Sequence, residues 1–201
     1  FRVLKLKVGL DWEGDLERVM RVRDAVGSGV RLRLDCNQGF DPETAVRFIE
    51  RAEMADIEFV EQPVVWDDIE GLRYVKENAP VPVMVDEGAR SPEDVERIAS
   101  MEAADLLNIK LMKFGGIWKA LRVCRIAAEH GIEVMVGCYG ESRLSIAAGL
   151  HFALSQKNVH YADLDSHFSL KRDFTTGGLQ FERGHLYPLP EPGFGCRVSL
   201  P

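Results

Sequence analysis

Arg31-Leu32-Arg33-Leu34-Asp35 alternates charge with leucine and stops on an acid. Read as a β-strand, it places both leucines on one face, with Arg33 and Asp35 on the other. Four more strand-like apolar runs end in a charge: Val3-Leu4-Lys5-Leu6-Lys7 before it, with Val8 following, then Ile57-Glu58-Phe59-Val60-Glu61, Val83-Met84-Val85-Asp86 and Leu106-Leu107-Asn108-Ile109-Lys110 after it. The end charges Lys7, Asp35, Glu61, Asp86 and Lys110 lie 28, 26, 25 and 24 residues apart. That is the room taken by one strand, one helix and two short loops. A βα unit repeating at this period closes most naturally into a parallel barrel, with its active site at the carboxyl ends of the strands. Three acids flanked by two lysines on one rim are hard to explain as packing.

The segments between these runs carry helical signals. Leu16, Val19, Met20, Val22 and Val26 share one face of a helix expected from Asp15 to Val26. Asp41-Pro42-Glu43 and Ser91-Pro92-Glu93-Asp94 open helices to about Ala55 and Met101, each with a capping residue and a proline in the first turn. Further helices are expected over 67–78, 117–130 and 141–155, and further strands over 133–136 and 160–165. The expected organisation is a barrel domain over 1–175 and a turn-rich tail over 176–201 that packs over it. Seven strands are one short of a closed barrel of this type. The expectation is therefore that the first βα unit, with or without a preceding domain, is missing from this chain; an open or partner-completed barrel of seven strands is the alternative.

Composition narrows the classes. Hydrophobic content of 46% and charged content of 28% are those of a soluble globular protein. A net charge of -7 argues against a nucleic-acid partner. No apolar run approaches membrane-spanning length, and no signal peptide is expected. The four cysteines show no CxxC spacing, so reduced thiols in a cytoplasmic protein are expected.

Asp35, Glu61 and Asp86 would converge from three neighbouring strands. Unneutralised carboxylates repel, so a bound divalent cation explains them better than separate solvated acids capping helices. An all-oxygen set favours magnesium or manganese over zinc. Lys7 and Lys110 would flank that cation. Either lysine alone suits a salt bridge; together with the acids they suit two bases facing one carbon, where one removes a proton and the other returns it on the opposite face. Asn37 and Glu87 are candidates for orienting ligands or lysines. Cys138 is a candidate pocket-lining residue.

These residues resemble the enolase superfamily: Lys5-Leu6-Lys7, Asp35-Cys36-Asn37-Gln38-Gly39, Glu61-Gln62-Pro63, Asp86-Glu87, and Asn108-Ile109-Lys110-Leu111-Met112-Lys113 leading into Gly115-Gly116. Within it the match is to the muconate-lactonising subgroup. The resemblance implies a TIM-like (β/α)7β barrel, with Lys7 and Lys110 as the acid/base pair. It also implies that Asp35, Glu61 and Asp86 bind Mg2+, one ion per active site. An amino-terminal capping domain, absent from this chain, and a symmetric homo-oligomer are implied too. The mandelate-racemase branch places a histidine at the end of the seventh strand; here that position reads Gly137-Cys138, which disfavours it.

Asp163-Leu164-Asp165 is similar to the Asp-x-Asp of dipeptide epimerases of the L-Ala-D/L-Glu type. Alternation would point both acids into the barrel mouth, where they suit a substrate ammonium; pairing with Lys5, Arg33 or Lys171 is the plainer alternative. The expected activity is epimerisation of a dipeptide, with Lys5 lining the substrate site. The rivals are an N-acylamino-acid racemase, o-succinylbenzoate synthase or muconate cycloisomerase, and a metal-binding barrel fragment without catalysis.

Overall fold

Every charge-terminated run folds as a strand. The computed structural model describes residues 1–199. Strands β1 (Val3–Lys7), β2 (Arg31–Asp35), β3 (Ile57–Glu61), β4 (Val83–Val85), β5 (Leu106–Ile109), β6 (Glu133–Val136) and β7 (Val159–Ala162) form one sheet in chain order. Every neighbouring pair is parallel. The connections are α1 (Trp12–Val26), α2 (Pro42–Ala52), α3 (Ile69–Asn78), α4 (Pro92–Ser100), α5 (Ile117–Glu129) and, between β6 and β7, α6 (Arg143–Ser155).

The helices start where their caps dictate. Asp41 accepts the Thr44 amide at the head of α2, and Ser91 and Asp94 cap each other's backbone at the head of α4. Ala45, Val46, Phe48, Ile49 and Ala52 form the buried stripe of α2. Such stripes pack on Leu32, Leu34, Val60, Val85, Leu107 and Val134 from the sheet, in one continuous core. Each fully buried leucine or phenylalanine there contributes about 1.5–3 kcal/mol.

The other face of the sheet curls inward. Phe59, Met84, Leu106 and Met135 form a second cluster with Tyr161 packed on it. The Arg33 guanidinium lies 4.8 Å from the Phe59 ring centre and 5.0 Å from that of Tyr161, although β2 and β7 are far apart in the strand order. The ammonium of Lys5, on β1, is 2.5 Å from Asp163, just past β7. Both edges of the sheet thus bend towards each other around one interior, and β1 and β7 are not hydrogen-bonded to each other. The result is a curled parallel half-barrel.

Several boundaries shift from expectation, and two of the shifts bear on the rim. Helix α1 starts at Trp12 because the Asp15 carboxylate reaches back to the amides of Gly9, Leu10 and Asp11. Strand β7 stops at Ala162, so Asp163 and Asp165 lie beyond it and strand alternation does not orient them. The tail is more ordered than its glycines and prolines suggest. It forms two antiparallel ribbons, β8 (Thr175–Gly177) with β11 (Cys196–Val198) and β9 (Leu179–Glu182) with β10 (His185–Pro188). Arg143, at the head of α6, fastens the tail by donating to the carbonyls of Gly177 and Leu179.

Candidate active site

The register of the sheet lines up the rim. Lys7 lies opposite Asp35, and Asp35 opposite Glu61. Asp86 and Lys110 follow directly on β4 and β5. The loops after β1 and β2 touch through their glycines: a side chain on Gly39 would strike the Gly9 carbonyl. Asn37, Gln38 and Gln62 hold left-handed backbones, with φ of 41°, 70° and 38°. That is strain of the kind found at functional rims. Gln62 uses its side chain as a brace. Its Oε1 accepts the amides of Asp86 (2.8 Å) and Gly88 (3.0 Å), and its Nε2 donates to the Val64 carbonyl.

The three acids are fully buried. Lys5 Nζ stands among them, 3.4 Å from Asp35 and 3.2 Å from Glu61, besides its contact with Asp163. Lys7 Nζ donates to Asp35 at 2.6 Å and to Asn37 at 2.7 Å. Lys110 donates to Asp86 Oδ2 at 2.5 Å, and the Tyr139 ring covers its ammonium at 4.6 Å. Lys113 is buried with all three donors used, on Asp86 Oδ1 and on the carbonyls of Asp86 and Asn108. Burial pushes the Glu61 carboxyl up; Lys5 opposes this, but the charges of Asp35 and Asp86 add to it. Burial also acts on Asp86, where Lys113 and Lys110 outweigh it and hold the carboxyl below its usual range. Burial alone would lower Lys110, yet Asp86 keeps its ammonium above the ordinary value.

This donor set fits a hard divalent cation: three carboxylates, mutually repelling, walled from water and without nitrogen or sulfur ligands. Among the described residues, no three His, Cys, Asp or Glu side chains stand close enough to enclose an ion as they are. Lysine ammonium groups stand between the acids instead, so an ion entering here displaces ammonium contacts.

The sequence matches the Enolase C-terminal domain-like family over residues 1–200. The chain belongs to that family. It is 41% identical to the L-Ala-D/L-Glu epimerase of Clostridium acetobutylicum over 197 residues, covering 97% of this chain and 55% of the relative. A substrate-liganded complex of the L-Ala-D/L-Glu epimerase from Bacillus subtilis superposes with a TM-score of 0.96 at 41% identity, covering all of this chain and 57% of the other. The dipeptide epimerase of Enterococcus faecalis, complexed with Mg and L-Leu-L-Tyr, superposes with a TM-score of 0.94 at 42% identity, covering 98% and 56%. The chain thus spans about half the length of the relatives it matches.

On this enolase-type scaffold the remaining expected site residues, Asp165 excepted, fall at the same rim. Asn37 joins Lys7 to Glu87, donating to Glu87 Oε1 at 3.0 Å, while Glu87 Oε2 is buried without a partner among the described residues. Cys138 donates to the Asp163 carbonyl at 3.2 Å. Asp165 is exposed and has no ion pair among the described residues; the rim brings in Asp163 but not Asp165. Two residues that the sequence reading passed over matter to the geometry: Gln62, and Asn108, whose Nδ2 donates to Glu61 at 2.7 Å. A lone amide inside the apolar strand Leu106-Leu107-Asn108-Ile109 was the available signal for the second.

Proposed function

We propose that this chain is the barrel part of a magnesium-dependent dipeptide epimerase that inverts the Cα of the C-terminal residue by two-base 1,1-proton transfer. One observation carries this: Lys7 and Lys110 stand at the two ends of a row of three buried acids on adjacent strands. The dipeptide epimerases that share its fold, one of them crystallised with magnesium and a dipeptide, support the substrate class. Four free thiols fit a cytoplasmic setting.

Asp35, Glu61 and Asp86 would hold the magnesium ion, which would supply positive charge beside the substrate carboxylate. The lysines do the proton work. A neutral amine on one side takes the Cα proton and becomes ammonium. The carbon's electron pair moves into the carboxylate, and the ammonium on the other side delivers its proton to the opposite face. Lys110 serves as a base only once its ion pair with Asp86 is loosened, and the Tyr139 ring then keeps that flank covered. Asp163 holds the substrate's free ammonium in place of Lys5. A dipeptide library incubated with the complete gene product in D2O tests this: deuterium should enter the C-terminal Cα of free-amine dipeptides, and a library that exchanges nowhere would refute it.

The Lys5–Asp163 contact favours a second reading. If that pair persists with substrate bound, Asp163 is not free for an ammonium, and an N-acylamino acid fits the site better. Turnover of N-acylated substrates retained after converting Asp163 and Asp165 to asparagine would establish it.

A further inference from the structure

We infer that Asn108 is a positioning residue whose amide sets the orientation of Glu61, and that residue 137 is glycine because that amide occupies the space a side chain there would need. The inference rests on the proposed role of Glu61 as a cation ligand. Asn108 and Glu61 are both fully buried. A carboxylate only accepts hydrogen bonds, so the amide must turn its NH2 towards Glu61 Oε1, which it meets at 2.7 Å. That choice leaves Asn108 Oδ1 buried with no partner among the described residues. An unpaired buried acceptor is unfavourable, and an apolar residue would suit a position that served packing alone. The two oxygens of Glu61 therefore have separate holders: Oε1 is tied to Asn108, and Oε2 points to Lys5 at 3.2 Å, among the other acids.

Gly137 follows β6 directly, and its amide donates to the Ile109 carbonyl beside Lys110. Its backbone is not left-handed, so conformation does not demand glycine. Space does. A Cβ built there would strike Asn108 Oδ1 and lie 2.9 Å from Nδ2 and 3.0 Å from Cγ. Any side chain at 137 must push the amide away from Glu61. Neither residue carries charge, so substituting them changes geometry without changing the net charge around the ion.

The test is Mg2+ titration calorimetry with thermal unfolding on the complete gene product and on N108A, N108S, G137A and N108A/G137A. Serine is the milder variant, too short to reach Glu61. Folded N108A and N108S should each bind Mg2+ about tenfold more weakly, as loss of an outer partner does. G137A should weaken binding similarly. Adding G137A to N108A should cause no further loss of affinity or melting temperature, since the clashing amide is gone. Unchanged affinity in folded N108A and N108S, beside a wild type that binds, would overturn the positioning role alone. Additive losses in the double variant would overturn the reason for glycine. A wild type that binds no Mg2+ would overturn the metal reading of Glu61, and the role of Asn108 with it.

Discussion

The two lysines at the ends of the acid row live in different surroundings. The Lys7 side chain is 64% exposed and its ammonium bonds to Asp35 and Asn37, whereas Lys110 is 11% exposed, bonded to Asp86, roofed by Tyr139 and backed by Lys113. The β5–β6 flank is made by side-chain packing within this chain. The β1 flank is made by backbone: Asp15 gathers the amides of Gly9, Leu10 and Asp11, and Arg18 bridges Asp15 to the Lys7 carbonyl. One flank encloses its ammonium among buried side chains; the other fixes the strand end, from which its ammonium reaches out through water-exposed space to Asp35 and Asn37.

The largest effects should come from the lysines themselves. K7A and K110A should each lower epimerisation by about 10^2–10^4-fold, the share of a general acid or base. Stability should separate them. K7A also takes a cation from a buried acid, Asp35, but that cation lies mostly in water and is screened there, so it should shift unfolding by no more than about 1 kcal/mol. K110A takes a cation from a buried acid and should move the melting temperature clearly. Equal shifts in thermal denaturation would break the contrast between the flanks. D35N should come next. It removes both a proposed ligand and the anchor of Lys7, so Mg2+ affinity by calorimetry should fall by more than the roughly 10–100-fold that outer partners account for.

The backbone cradle predicts a smaller, pH-dependent effect. Burial pushes the Asp15 carboxyl up, but the backbone of Asp11, the Arg18 guanidinium and the amides of Gly9 and Leu10 outweigh it, so it lies below its ordinary value of 3.8. A carboxyl depressed in the folded state adds stability above that value, and loses it as pH falls through the lower folded value. D15A should therefore destabilise the protein by about 1–3 kcal/mol at neutral pH. The difference from wild type should shrink below about pH 4, within the acid limb expected of such groups. A constant difference across that range in denaturation curves would show that packing alone is at stake. The smallest effect is expected from Y139L. Removing a half-exposed ring over an ammonium changes about 0.5–1 kcal/mol. The rate should change a few-fold, and only for the substrate epimer that Lys110 deprotonates.

The same contrast explains what was legible in the sequence. Strand ends repeat at a fixed period, so Lys7, Asp35, Glu61, Asp86 and Lys110 could be placed on one rim from spacing and alternation alone. Asn108 and Gln62 act across strands, on Glu61 and on the Asp86 loop, and no local pattern encodes which neighbour an amide will meet. Lys113 could equally have lain on the surface; only the turn after β5 folds it back under Asp86. Asp165 was expected to share a face with Asp163, but β7 ends three residues before it. The ribbons of the tail were hidden because glycine and proline mark turns without revealing the short strands between them.

Cα hydrogen–deuterium exchange of each substrate epimer in K7A and in K110A probes the two-flank arrangement most directly. If the lysines serve opposite faces, each variant keeps exchange with one epimer only, and the two variants keep different ones. Loss of exchange with both epimers in both variants, or retention of the same epimer by both, would contradict it.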